Sequence, residues 1–183
     1  MGNEMLISDL HILQFIYHLR SPFLTSFMIF ITNFGGQTML GLGVIVVMIL
    51  YSNKYEKDAI QFALIAGGAW ITNILLKIYF HRMRPQFHPL IVEKDYSFPS
   101  GHAMNSIVFY TTLAYFIFYI TKNKKLSIYF TILSFLLIML IGISRVYLGV
   151  HYPTDVLGGY VAGAIWLLSI FLMTRLFKLK HIK

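Results

Sequence analysis

Five apolar runs, at about residues 36–52, 58–79, 103–121, 126–143 and 156–177, divide this chain, and their lengths leave few architectures open. A bilayer's hydrocarbon layer, about 30 Å thick, is crossed by about 20 helical residues rising 1.5 Å each. Inside lipid every backbone N–H and C=O must be satisfied within the segment, which selects helices. Polar breaks at Ser52–Asp58 and Thr121–Lys125 mark turns between runs. Charged residues make up 12% of the chain and its mean hydropathy is +0.70, whereas a soluble domain carries about 25% charged residues. The expected fold is therefore all-α: a polytopic transmembrane helix bundle with five to six spans and an N-terminal interfacial helix. No internal repeat is evident.

The net charge of +8 would suit nucleic acid. The basic residues, however, lie in short clusters between apolar runs, so the expected partner is the lipid bilayer and not nucleic acid. The chain has no cysteine, which excludes disulfides and thiolate metal sites. Residues 1–20 carry Glu4, Asp9, His11, His18 and Arg20 and lack the apolar core of a cleavable signal peptide. In the stretch 8–20, Leu10, Leu13, Ile16 and Tyr17 share one helical face, with Ser8 as N-cap and Ser21-Pro22 as a break, which fits a helix lying in the interface. The following FLTSFMIFITNF is apolar but short; it dips into the bilayer, extends the first span, or belongs to a sixth span. Three regions follow: N-terminal interfacial or partly inserted helices over 1–35, a transmembrane core over 36–177, and a basic cytoplasmic tail over 178–183.

Orientation follows from Lys and Arg near the span ends. Lys54, Lys57, Lys122, Lys124, Lys125, Arg175, Lys178, Lys180 and Lys183 fall on one side, and Arg20, Lys77, Arg82, Arg84, Lys94 and Arg145 on the other. The richer side is taken as cytoplasmic. This expectation puts the protein in the cell membrane as a multi-pass chain, with its C-terminus cytoplasmic and the loop 80–102 facing outward.

Three polar clusters then fall at one depth. KIYFHRMRP holds Lys77 and Arg84 at the end of the second run, PSGHAMN holds Ser100, Gly101 and His102 at the start of the third, and SRVYLGVHYPTD holds Arg145, His151 and Asp155 between the fourth and fifth. Arg forks match phosphate oxygens. Gly101 would let backbone approach an anion at a helix N-terminus. A histidine beside a carboxylate can serve as nucleophile or base, and His151 and Asp155 are four residues apart, one helical turn.

In order and spacing, Lys77-x6-Arg84-Pro85, Pro99-Ser100-Gly101-His102 and Ser144-Arg145-x5-His151-x3-Asp155 resemble the three-part signature of the type 2 phosphatidic acid phosphatase superfamily, over about residues 36–177. The resemblance implies that His151 attacks phosphorus to form a phosphohistidine, that Asp155 holds its ring, and that His102 protonates the leaving oxygen. It implies that Lys77, Arg84, Ser100, Gly101 and Arg145 hold the phosphoryl oxygens. It implies no cofactor and no metal, and no carboxylate cluster suited to a metal stands in the sequence. Bacterial membrane members have six spans, one more than the five clear runs here.

Each residue has an ordinary alternative. Lys77 could snorkel, Arg145 could anchor the interface, His102 could merely start a helix, and Asp155 could complement a helix dipole. Buried ionisable groups cost about 2.5–3.5 kcal/mol each at the bilayer centre, so repeating that cost on one face argues against the joint alternative. His81, Arg82 and His88 read as loop residues near the pocket mouth, and Glu93 and Lys94 as a solvated turn. Asn73 and Asn105 read as braces, and Gly158-Gly159-x3-Gly163 as a close-packing face that could also serve dimerisation. The expected activity is hydrolysis of a membrane lipid phosphate, undecaprenyl diphosphate before phosphatidylglycerol phosphate. The alternatives are a phosphotransferase of the same superfamily and a non-enzymatic phospholipid-binding or transport protein.

Overall fold

A computed structural model describes residues 2–180, with side chains described for 7–175. Seven helices are present among the described residues: α1 Gly2–His18, α2 Pro22–Asn33, α3 Gln37–Ser52, α4 Glu56–Phe80, α5 Gly101–Thr121, α6 Lys124–Tyr147 and α7 Pro153–Lys180. Five stretches are long and apolar enough to cross a membrane: Pro22–Ser52, Glu56–Phe80, Gly101–Thr121, Lys124–Tyr147 and Pro153–Arg175. The first joins α2 to α3 through a turn at Phe34–Gly36, so the short apolar stretch after Pro22 extends the first run. The expected tail over 178–183 falls partly outside the described residues; its first three positions continue α7.

Local chemistry sets the helix ends. Ser21 caps α2, its Oγ accepting from Leu24 N at 3.3 Å, and Pro22 occupies the first turn where its missing N–H costs nothing. Asn123 caps α6 through Leu126 N at 3.1 Å. Ser8 is not an N-cap, because α1 begins six residues earlier, at Gly2.

At the centre stands α5, which packs against α4, α6 and α7 and buries residues around its whole circumference, from Ala103 and Met104 to Ala114 and Phe116. Around it α3 packs on α4, α2 on α6, and α1 on α6 and α7. Gly159 and Gly163 allow α7 to lie against α5: a Cβ at Gly159 would stand 2.6 Å from Ser100 O, and one at Gly163 2.9 Å from Met104 O. The small-residue face read from the sequence is thus occupied within the chain. Outward-facing Ile132, Phe135, Leu136, Leu157, Val161, Ile165 and Phe171 are exposed on the outer helices, a surface that lipid would cover.

The inward face of α1 carries Asp9, Leu13 and Ile16, while Leu10 and Tyr17 remain exposed. The apolar face expected for this helix is therefore divided between the chain itself and its surroundings. Residues 81–100 form no regular element. They are pinned by Leu90 N to Leu148 O at 2.9 Å, Ser97 N to Arg82 O at 2.8 Å, and Ser100 N to Asp155 O at 3.0 Å. These bonds tie the loop to itself, to the C-terminal end of α6 and to the first turn of α7.

Candidate active site

One cavity of about 350 Å³ lies beneath this loop, and it collects Lys77 from α4, Arg84 from the loop, Gly101 and His102 from α5, Arg145 from α6 and His151 from the α6–α7 turn. Asn73 and Asn105 also line it, as do Gly35 and Gly36. Three sequence clusters separated by up to 74 positions, Lys77 to His151, thus meet in one volume. Ser100 and Asp155 do not line the cavity; both are fully buried directly behind it.

Gly101 is small for a visible reason. A Cβ there would lie 2.8 Å from Asn73 Oδ1 and 3.9 Å from Lys77 Cε, so any side chain would push α4 away from α5. Asn73 Nδ2 donates to Pro99 O at 3.3 Å, which ties α4 to the segment before the helix. Ser100 Oγ is buried without a hydrogen-bond partner, a donor left free at the N-terminus of α5.

His151 is 1% exposed. Burial first, then the cations Arg84, Arg145 and Lys77, holds its imidazole well below the usual 6.5, so the ring is neutral at neutral pH. Arg84 Nη1 lies 3.1 Å from Nε2. A guanidinium can only donate, so Nε2 accepts and the ring proton sits on Nδ1. Nδ1 lies 3.3 Å from Ser97 Oγ and 3.5 Å from Asp155 Oδ2. Ser97 Oγ in turn donates to Asp155 Oδ2, which leaves it able to accept from the imidazole. The chain His151, Ser97, Asp155 therefore fixes the tautomer and leaves Nε2 unprotonated, accepting from Arg84 at the cavity wall.

Asp155 is fully buried and well satisfied. Oδ2 also accepts from Tyr152 N at 2.8 Å, and Oδ1 accepts from Arg82 Nη1 at 2.7 Å. Arg145 is 1% exposed; it donates to Thr32 Oγ1 at 2.9 Å and pairs with Glu93, and its Nε has no partner. Lys77 Nζ stands 2.8 Å from Asp95 Oδ2 and donates to Tyr96 O at 2.5 Å. Arg84 Nη2 pairs with Asp95 Oδ1 at 2.5 Å, while its Nε bonds Asp95 O at 2.8 Å and its Nη1 bonds Val150 O at 2.7 Å. Burial would raise the Asp95 carboxyl, but Lys77 and Arg84 hold it down at about 2.

Two sequence readings need correction. Glu93 is not part of a solvated turn, since it is an ion-pair partner of Arg145 and lines the cavity. Arg82 does not merely stand at the pocket mouth, since it reaches inward to Asp155 and to Asp9. Asp95, Ser97, Asp9 and Thr32 were not singled out for the site at all. Glu93 and Asp95 did leave a signal: they are the two acids between Phe80 and His102, and three converging cations in a low-dielectric pocket need counter-charges. Ser97 left none.

A second cavity of about 340 Å³ adjoins the first and shares Met39, Leu40, Trp70 and Asn105 with it. Its walls are Gly43, Val44, Val47 and Met48 of α3, Phe62, Ala63, Ala66 and Gly67 of α4, and Phe109 of α5. A charged pocket therefore opens directly into an apolar groove between α3 and α4. Among the described residues, no cluster of three or more His, Asp and Glu side chains is arranged to hold a metal ion.

The model of the PAP2 superfamily matches residues 58–178. Phosphatidylglycerophosphatase B of Bacillus subtilis (strain 168) is 39% identical over 152 residues, covering 80% of this chain and 73% of that protein. Undecaprenyl-diphosphatase BcrC of the same strain is 32% identical over 149 residues, covering 78% and 70% respectively. The crystal structure of a transmembrane PAP2 type phosphatidylglycerolphosphate phosphatase from Bacillus subtilis superposes with a TM-score of 0.87 at 34% identity, over 94% of this chain and 88% of that one. Aquifex aeolicus LpxE superposes with a TM-score of 0.65 at 26% identity, over 86% and 93%.

Proposed function

The chain belongs to the PAP2 superfamily, and from that premise we propose that it is a membrane lipid phosphatase that works through a phosphohistidine and without a metal. The observation that carries the reading is the single cavity holding Lys77, Arg84, His102, Arg145 and His151, with Asp155 and Ser97 behind the nucleophile. In the first step His151 Nε2 forms a bond to phosphorus as the bond from phosphorus to the leaving oxygen breaks, and His102 gives that oxygen a proton. In the second step water attacks the phosphohistidine, His102 takes the water's proton, and orthophosphate leaves. Lys77, Arg84 and Arg145, with Ser100 Oγ and Gly101 N–H, offset the charge on the phosphoryl oxygens in both steps. These fixed cations stand in for the divalent ion that other phosphoryl-transfer sites use.

The adjoining apolar groove supports a substrate with a hydrocarbon tail. Its phosphate sits in the charged cavity and its tail runs between α3 and α4, so the substrate need not leave the bilayer. We propose undecaprenyl diphosphate and phosphatidylglycerol phosphate as the lipids, in that order, on the outer face of the cell membrane. Relatives bearing both substrate names lend support. The experiment is release of orthophosphate by the purified protein in detergent with EDTA, from each lipid, beside His151→Ala and His102→Ala. Activity in EDTA that both variants lose is expected, with water and not an alcohol receiving the phosphoryl group. Release that persists in His151→Ala sinks the nucleophile assignment, and loss of activity on chelation sinks the metal-free one.

A further inference from the structure

Asp9 stands on α1, outside the residues 58–178 that match the family model, yet its side chain is 1% exposed. A buried carboxylate is costly unless its oxygens are engaged, and those of Asp9 are. Oδ2 accepts from Arg82 Nη2 at 2.9 Å and from Thr154 Oγ1 at 2.5 Å, and Oδ1 accepts from Thr154 N at 3.1 Å. The other terminal nitrogen of Arg82 donates to Thr154 Oγ1 and to Asp155 Oδ1, both at 2.7 Å. Arg82 also lies over the Tyr152 ring, 4.4 Å from its centroid, which fixes the plane of the fork. One guanidinium is thus held between two buried carboxylates, and one of them is the group behind His151.

We propose that Asp9 is a positioning residue of the active site: by sharing Arg82 with Asp155, it sets where the Asp155 carboxylate stands and how much of its charge reaches His151. The inference rests on the histidine mechanism above. Asp155 has a limited set of oxygens, and Arg82 competes with Ser97 and His151 for their charge. With Asp9 present, Arg82 is neutralised from the opposite side and Asp155 remains free to support positive charge on the imidazole as Nε2 attacks. Without it, an unshared cation stands 2.7 Å from Asp155 Oδ1 and draws the carboxylate away from the ring. The N-terminal helix therefore completes the site from outside the family-matched segment. Asp9 does not line the cavity, so substrate binding is spared and the loss falls on turnover.

A residue that merely tied α1 to the bundle would also matter, so the test must separate the two roles. Full-length wild type, Asp9→Asn, Arg82→Gln and the double variant are purified in detergent and assayed for phosphate release at fixed lipid composition. Thermal midpoints are measured on the same samples. Asp9→Asn keeps the side-chain shape and removes the charge. Expected is a fall in kcat of about tenfold, the size of a contact coupling, with KM within about twofold and no matching fall in thermal midpoint. In the Arg82→Gln background the same change adds less than about twofold, because the relay it acts through is gone. Independently of turnover, the Nδ1 proton of His151 in nitrogen-15 histidine-labelled protein, identified by its loss in His151→Ala, moves upfield in Asp9→Asn as its hydrogen bond weakens. An unmoved proton with unchanged kcat overturns the inference. So does a full-sized effect of Asp9→Asn in the Arg82→Gln background, which would mark a structural anchor. If His151→Ala retains activity, the histidine mechanism itself fails; the proton shift, which needs no turnover, then decides the Asp9–Arg82–Asp155 relay alone.

Discussion

Replacing Asp95 by Asn is expected to tighten the site's hold on phosphate. The Asp95 carboxylate pairs with two of the proposed phosphate-binding cations, 2.8 Å from Lys77 Nζ and 2.5 Å from Arg84 Nη2, and on that proposal it occupies the place of the incoming phosphoryl group. Its side chain is 55% exposed, so each pair is valued on the scale of exposed ion pairs, at up to about 1 kcal/mol. The substrate therefore displaces up to about 2 kcal/mol of existing interaction, and with about 1.4 kcal/mol per factor of ten the variant gains up to about 25-fold in anion affinity. Both cations keep other anchors: Arg84 holds Asp95 O and Val150 O, and Lys77 holds Tyr96 O. The assay is inhibition of lipid phosphate release by added orthophosphate at neutral pH, with the inhibition constant expected to fall by up to about 25-fold and KM to fall with it. An inhibition constant that is unchanged or higher refutes the reasoning, because it would show that the carboxylate aligns the two cations instead of competing for them. Acid provides a separate check. The Asp95 carboxyl is held at about 2, below its ordinary 3.8, so its contribution to stability is present above pH 3.8 and is lost as pH falls through 2. The thermal midpoint of the wild type should therefore drop more steeply between pH 4 and 2 than that of the variant.

Ser97→Ala removes the hydroxyl between His151 Nδ1 and Asp155, leaving a direct separation of 3.5 Å. A hydrogen bond to a charged group contributes about 1.5–3 kcal/mol, so kcat should fall by about 10- to 100-fold with little change in KM; kcat within twofold of wild type would remove Ser97 from the relay. Gly159→Ala places a Cβ 2.6 Å from Ser100 O and 3.2 Å from Met104 N, backbone atoms that cannot rotate away. It should cost about 1–3 kcal/mol of stability and lower activity as well, since α7 carries Asp155 past the start of α5. Gly41→Ala on α3 meets nothing within 4 Å and serves as the neutral control in the same thermal unfolding series.

How much of the site was legible depended on the kind of interaction. Lys77, Arg84, Ser100, Gly101, His102, Arg145, His151 and Asp155 form patterns of fixed local spacing, and helix alternation alone placed the three clusters at one end of the bundle. Their counter-charges were not legible in the same way. Glu93 and Asp95 come from an irregular loop with no periodicity to show which way a side chain points, so Glu93 read as solvent-facing and its pairing with Arg145 emerged only in three dimensions. Arg82, two residues before Arg84, looked like one more basic loop residue; its pairing with Asp155 depends on the path the chain takes after Phe80, where His81 adopts a left-handed conformation at φ 48°.

Sequence by itself determined the membrane-spanning helical architecture, because five apolar runs of span length leave the backbone no other way to satisfy its hydrogen bonds in lipid. It also determined the three polar clusters and the chemistry they suggest, because those residues sit close together along the chain. The tertiary structure alone decided that α2, which begins at Pro22, runs on into α3 through a turn at Phe34–Gly36, and that α1 lays Asp9 against Arg82 and Thr154. It decided too that Ser97 stands between His151 and Asp155. These contacts join residues 54 to 145 positions apart. Local propensity cannot encode such pairs; they form only when packing around α5 brings the loop, the N-terminal helix and the start of α7 together.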